Sequence, residues 1–287
     1  MTDPEPPAAP TGPTTYVLIH GGGSTRRFWD RVAPLLAEGD PTAMVIAVDL
    51  PGRGEHPAGL ATITVSDEVD AVLDDVRAAV RAAGPDGTDL PERAVGPVVV
   101  VAHSSGGLVV PGVAAGLLGD DGRSRVVSVV LVAALVPPEG GCGLDCMQVR
   151  HAEGLRAFVD ALGPDDPAIT LPGPPDDPEP FRTATGGAPL DDDTLAFVVD
   201  PVRLVEDTVQ HYFQPVRWST VPDDVEITYL LTRNDRPVPP SLQQQMIERL
   251  PAPRRVTAVE IDTGHLAPIT HPQLIADEIL LAPTTTP

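Results

Sequence analysis

Apolar residues gather in short runs at 16–19, 44–48, 97–101, 126–132, 227–231 and 256–261, unbroken in the first three and interrupted by Ser128, by Thr228, and by Thr257 and Glu260 in the others. Runs of this length, rich in branched side chains and without apolar–polar alternation, predict strands covered on both faces. Between them the spacing changes to three and four. Over 28–36, Trp29, Val32, Leu35 and Leu36 share one side of a helix, and after the start signal Thr64 with Asp67 the same holds for Val69, Val72, Leu73, Val76 and Val80. Further helices are predicted at 108–118, with Pro111 in its first turn or at a kink, at 241–250, and after Pro272. Strands alternating with helices predict an α/β fold with a doubly wound, mostly parallel sheet.

The rhythm fails between about 137 and 222. Here Pro, Gly and Asp dominate, with apolar pieces only at 155–162 and 195–205. The expectation is a small helical cap inserted at 138–221 into a core formed by 15–137 and 222–282. Flexible tails are expected at 1–14 and 283–287, and a loop at 84–96.

Composition narrows the function classes. The chain has 287 residues, 41 acids against 19 bases and a formal charge of −22, and every base is arginine. Such a surface repels nucleic acid and anionic lipid. No apolar run reaches the length of a membrane span, and the acidic, proline-rich opening lacks the order of a secretory signal, so a cytoplasmic protein is expected. The expected partner is a small-molecule substrate, with neither nucleic acid nor membrane, and a homodimer is left open. Cys142 and Cys146, four apart with His151 nearby, give too few ligands for a zinc site and read as reduced thiols. Neither metal nor cofactor is expected.

Functional groups in an open parallel sheet collect at the carboxyl ends of strands. The loops His20-Gly21-Gly22-Gly23, Asp49 to Gly54, His103 to Gly107, Asn234-Asp235 and Gly264-His265 all occupy such positions. The turn Ala102-His103-Ser104-Ser105-Gly106-Gly107 follows a strand and precedes a helix, as a nucleophile elbow does. Ser104 keeps the small neighbours in register, whereas its rival Ser105 does not. A serine hydroxyl needs a histidine to take its proton and a carboxylate to fix that histidine.

The segments VLIHGGGS, VDLPGRGEHP, VAHSSGG, LLTRNDRPVP and DTGHLAP resemble, in order, those of the α/β-hydrolase superfamily. The likeness runs from Tyr16 to about Leu281 and is greatest to the small-cap group of plant esterases, hydroxynitrile lyases and bacterial esterase relatives. It implies Ser104, Asp235 and His265 as the catalytic set, and the N–H groups of Gly22 and Ser105 as the oxyanion hole. Asp262, Asp145 and Glu139 remain competitors for the place of Asp235.

Gly23, Ser24 and Leu266 are candidate pocket residues. His20, His103 and Asp49 are read as scaffold, His56 at the pocket edge, His151 and His211 in the cap, and His271 as a helix cap. Phe158, Tyr212, Phe213 and Trp218 are candidate pocket walls. The resemblance implies hydrolysis of a carboxylic ester or lactone of a small, mostly apolar substrate through an acyl-serine. Two other readings stay open: a cofactor-free lyase, decarboxylase or cyclase, and a non-catalytic small-molecule-binding protein. Leu266 stands where the lyases carry a lysine, which disfavours cyanohydrin cleavage.

Overall fold

The computed structural model describes residues 12–83, 96–118, 125–163, 166, 169–250 and 256–284. Residues 1–11 and 285–287 of the expected tails, and 84–95 of the expected loop, lie outside the described residues.

Six parallel strands form one sheet: β1 (Thr15–Ile19), β2 (Met44–Ala47), β3 (Val98–His103), β4 (Val126–Val132), β7 (Glu226–Thr232) and β8 (Val256–Ile261), in the order β2-β1-β3-β4-β7-β8. The runs 16–19 and 98–102 are apolar throughout because successive side chains feed two different cores. Val17 and Ile19 of β1, with Val98, Val100 and Ala102 of β3, pack under α2 (Val65–Ala83) and α3 (Val110–Gly116). Tyr16 and Leu18, with Val99 and Val101, face α1 (Ala33–Gly39) and α9 (Pro272–Leu280) instead. Each fully buried valine, leucine or isoleucine among these contributes about 1.5–3 kcal/mol. The edge strands are less covered, β2 being half-buried throughout and β8 half-open.

Strand order reverses at β1, whose neighbours are β2 and β3. A doubly wound sheet opens a crevice there, at the carboxyl ends of the strands. The two loops that leave this point are the glycine loop after β1 and the serine turn after β3.

Departures from the sequence expectation have local causes. The helix expected at 28–36 is divided into a 3-10 turn (Arg26–Trp29) and α1, since Pro34 belongs in a first helical turn and donates no hydrogen bond. Within the expected insertion lie α4 (Val149–Leu162), α5 (Phe181–Ala184) and α6 (Asp192–Val199), the last capped by Asp191, whose carboxylate accepts from Thr194 N. The insertion is not only helical: β5 (Thr170–Leu171) and β6 (Asp207–Thr208) pair antiparallel. After β7 comes α7 (Pro240–Arg249), and a short helix, α8 (Ala267–Thr270), precedes α9. No helix among the described residues is long and apolar enough to cross a membrane.

Candidate active site

Ser104 leaves β3 with φ +51, a left-handed conformation that costs a non-glycine residue energy and persists where neighbours enforce it. The enforcing contacts involve glycines. A Cβ on Gly21 would lie 2.8 Å from Ser104 Cβ and 2.9 Å from His103 Nδ1, and one on Gly106 would lie 2.6 Å from the His20 carbonyl. The loops after β1 and β3 therefore interlock only because these positions lack side chains. Leu135 N–H, just beyond β4, donates to Ser104 O at 2.8 Å and pins the turn from the other side.

His265, on the loop after β8, places Nε2 3.1 Å from Ser104 Oγ and Nδ1 2.7 Å from Asp235 Oδ2. Asp235 is an acceptor: its Oδ2 also takes a bond from Thr232 Oγ1 at 2.8 Å and its Oδ1 one from Val238 N–H at 2.7 Å. His265 Nδ1–H accordingly donates to Asp235, which leaves Nε2 as the acceptor for the serine hydroxyl. The histidine main chain is fixed as well, His265 N–H donating to Thr185 O and His103 Nε2–H donating to His265 O, both at 2.9 Å. Burial, and then the neighbouring His265, hold His103 well below the usual histidine pKa, so it is a neutral brace stacked 4.5 Å from Phe28.

The rivals are elsewhere. Ser105 is 2% exposed and packs beside the Tyr212 hydroxyl rather than His265. Asp262 accepts from Asn234 Nδ2, Asp145 from Cys142 N–H, and Glu139 from the main chain and hydroxyl of Ser219.

Ser104 stands between two spaces. An open cleft of about 1070 Å3 is lined on its apolar side by Leu135, Met147, Leu155, Phe158, Leu171 and Val238, with Arg150 and Arg236 also on its wall. A pocket of about 170 Å3 is bordered by Gly22, Ser24, Phe28, Ser104, His265 and Leu266. Of the expected pocket residues, Ser24 and Leu266 are thus in place. Gly23 is not: it turns with φ +63 and its carbonyl accepts from Val205 N–H at 2.8 Å, giving it a joining role. Phe158 and Tyr212 line the larger cleft, whereas Trp218 is buried in the core and Phe213 packs against that core.

Other expectations are corrected. His56 does not edge either space but pairs with Asp75 at 2.9 Å; His271 does occupy the N-cap position of α9, although its side chain bonds Thr270 Oγ1 and not a helix N–H. His20 is scaffold: its Nδ1–H donates to Gly21 O, its Nε2 accepts from Leu50 N–H, and burial and then Arg53 push its pKa down to about 4. Both cysteines are free thiols, and burial raises Cys146, which borders the large cleft, to about 12. Among the described residues no three metal-binding side chains come together.

Gln243 and the buried polar residues around Arg53 did not stand out in sequence. Gln243 Oε1 accepts from Thr232 N–H, while its Nε2 donates to Thr232 O, Thr232 Oγ1 and Val238 O, bracing both ends of the Asp235 loop. Its signal was phase, since it lies three residues before buried Met246 on α7.

Known proteins share this arrangement of elements. The profile of the Alpha/beta hydrolase family matches residues 16–278. Lipase LipV of Mycobacterium tuberculosis is 31% identical over 156 residues, 54% of this chain and 48% of the lipase, so the match spans about half the length of that curated relative. An extracellular alpha/beta-hydrolase from a Paenibacillus species, described as sharing structural and functional homology with tobacco salicylic acid binding protein 2, superposes with a TM-score of 0.66. It is 20% identical, over 94% of this chain and 98% of its own. A pyrethroid hydrolase from Sphingobium faniae JZ-2 gives 0.64 at 19% identity, covering 93% and 95%. Polyneuridine aldehyde esterase gives 0.60 at 16%, covering 93% and 98%. At these identities the solved structures speak to fold.

Proposed function

This chain belongs to the alpha/beta hydrolase family, and from that we propose that it is a serine hydrolase of carboxylic esters or lactones. The observation that carries this reading is the relay from Ser104 Oγ through His265 to Asp235, set at the junction of two substrate-sized spaces. Relatives named as a lipase, a pyrethroid hydrolase and an esterase support it.

In the proposed reaction Ser104 Oγ bonds to the carbonyl carbon while its proton passes to His265 Nε2. The carbonyl oxygen becomes an oxyanion held by the N–H groups of Gly22 and Ser105. Collapse breaks the bond to the leaving oxygen, which takes the proton from His265. Water then repeats the sequence on the acyl-serine, its proton going to His265 and returning to Ser104. Asp235 keeps the imidazole in the required tautomer and stabilises the imidazolium.

Because His265 borders the smaller pocket, the leaving group is assigned there and the acyl part to the larger cleft, with residues 138–221 as its cap. At about 170 Å3 this pocket is much smaller than the cleft of about 1070 Å3 assigned to the acyl part. The two free thiols accord with a reducing compartment such as the cytoplasm.

The test is a panel of p-nitrophenyl esters, alkyl esters and lactones, with fluorophosphonate labelling, on the native protein and Ser104→Ala. The native protein should label at Ser104, and the variant should lose about 10³-fold or more in turnover. Undiminished turnover by Ser104→Ala overturns the assignment, and tight binding of an apolar ligand by a protein that neither labels nor turns over would make it a receptor.

A further inference from the structure

Behind the glycine loop lies a set of charged side chains that the proposed reaction does not use directly. Arg53, from the loop after β2, has a fully buried guanidinium. It is paired on one side with Asp207 of β6 and on the other with Glu68 of α2, whose Oε1 is 3.4 Å from Nη1. Glu68 in turn accepts from His211 Nδ1 at 2.9 Å. His211 is followed by Tyr212 in one 3-10 turn, their rings 4.1 Å apart. The chain of contacts closes on itself at Gly22: a Cβ there would lie 2.6 Å from Asp207 Oδ2 and 2.7 Å from Tyr212 Oη. Ser105 Oγ, from the elbow, would be 3.4 Å away.

We infer that Asp207, Arg53, Glu68, His211 and Tyr212 form the positioning device of the oxyanion loop, and that the hole is complete only when residues 202–213 are seated on the core. The inference rests on the serine-hydrolase reading. Stability alone does not account for these charges, because well-packed apolar side chains of similar volume generally serve a core as well as or better than a buried ion pair. Their location does: both ends of the circuit touch the residue whose N–H must meet the oxyanion. The neighbouring main chain carries the same coupling. Val205 N–H donates to Gly23 O at 2.8 Å, Thr25 Oγ1 donates to Val202 O at 2.6 Å, and Ser24 pairs with Leu204 as an isolated bridge. Residues 22–25 are thus held along their length by 202–212, and an aligned donor in a dry site needs no reorganisation when charge develops on the carbonyl oxygen.

The discriminating variant is Asp207→Asn, which keeps the side-chain shape and the acceptor for Thr208 N–H while removing the charge opposite Arg53. Turnover is expressed per fluorophosphonate-titrated site, so misfolded molecules are not counted. The expected result is a fall in kcat of at least about tenfold with KM within about threefold, the pattern of an interaction made in the transition state. A trifluoromethyl ketone, whose serine adduct carries the oxyanion, should weaken by the same factor as kcat/KM, while the matching amide, bound without addition, should not.

Glu68→Gln, one step further from Gly22, should show the same split at smaller amplitude and serves if Asp207→Asn does not fold. Native kcat per titrated site and native ketone affinity in the variant that folds would overturn the inference, however much its melting temperature falls. A native protein without esterase activity would overturn the hydrolase reading and this one with it, whereas an active native protein with indifferent variants overturns this one alone.

Discussion

His20 shows how much one side chain near the site can set for the whole chain. Its two nitrogens are committed in one tautomer, Nδ1–H to Gly21 O and Nε2 to Leu50 N–H, and burial with Arg53 nearby lowers its pKa from 6.5 to about 4. His103, also buried, is held well below the usual histidine range, first by burial and then by His265. His20 is neutral when folded at pH 5 and protonated when unfolded, so unfolding there takes up roughly one proton at this residue, and the lowered His103 acts in the same direction, so that acid favours the unfolded chain. The contribution of His20 is intact above pH 6.5 and lost as pH falls toward about 4, a change of about 3 kcal/mol. Urea unfolding at pH 7.5, 6, 5 and 4.5 should show stability falling steadily through this window. A flat profile would mean that the imidazoles are not held neutral. Ser104 was legible because strand, small residues and helix surround it in order; the conformation that makes it costly, φ +51, leaves no mark in composition.

At the scale of elements, legibility followed periodicity. The six parallel strands and α2 were readable because a strand covered on two faces, as β1 and β3 are, is mostly apolar, because the less covered edge strands still carry short apolar-rich runs, and because a surface helix repeats every three or four residues. Between β4 and β7 the elements are short and end on Pro, Gly and Asp, so β5, β6 and the full extent of α4 were missed. The buried polar residues were hidden by their chemistry although their phase was visible. Glu68 falls in step with Val72, Val76 and Val80 on the inner face of α2, and Gln243 with Met246 on α7.

A charged or amide residue in core phase asks what it binds, and here the answers are Arg53 with His211, and the Asp235 loop. Gln243→Leu would fill similar space but leave Thr232 N–H and the Val238 carbonyl without their Gln243 partner, and the Thr232 carbonyl with only the 3.4 Å bond from Asp235 N–H. At about 1–3 kcal/mol for a stranded buried group, a loss of about 2–4 kcal/mol is expected. Because Thr232 Oγ1 also loses its donor, Asp235 should be held less firmly and kcat should fall as well. Chemical denaturation and kcat on the same preparation test both, and an unchanged midpoint would show that the loop needs no such brace.

On the scale of the molecule, a charge of −22 with no lysine opposes the two arginines on the wall of the large cleft, Arg150 and Arg236. They belong to different ranges. The net charge acts at long distance and is screened beyond about 30 Å at 0.01 M salt but beyond about 8 Å at 0.15 M. A contact with Arg150 or Arg236 is short-ranged and less exposed to screening once the ligand is seated. For an ester carrying a carboxylate, kcat/KM includes the work of bringing that charge from bulk water to the site. If the net charge dominates, kcat/KM for such a substrate should rise about threefold between 0.01 M and 0.15 M salt, while its neutral methyl-capped counterpart changes little. If kcat/KM falls with salt instead, the local arginines dominate, and the cleft is built to take acidic groups despite the charge around it. The ratio of the two substrates at each salt concentration is the quantity to measure, since it cancels any effect of salt on the folded protein. Arg236→Gln sharpens the reading. Its Nη1 donates to Thr183 O at 2.8 Å, so one of its donors is already committed to the fold, and under the long-range account its removal leaves the salt slope in place.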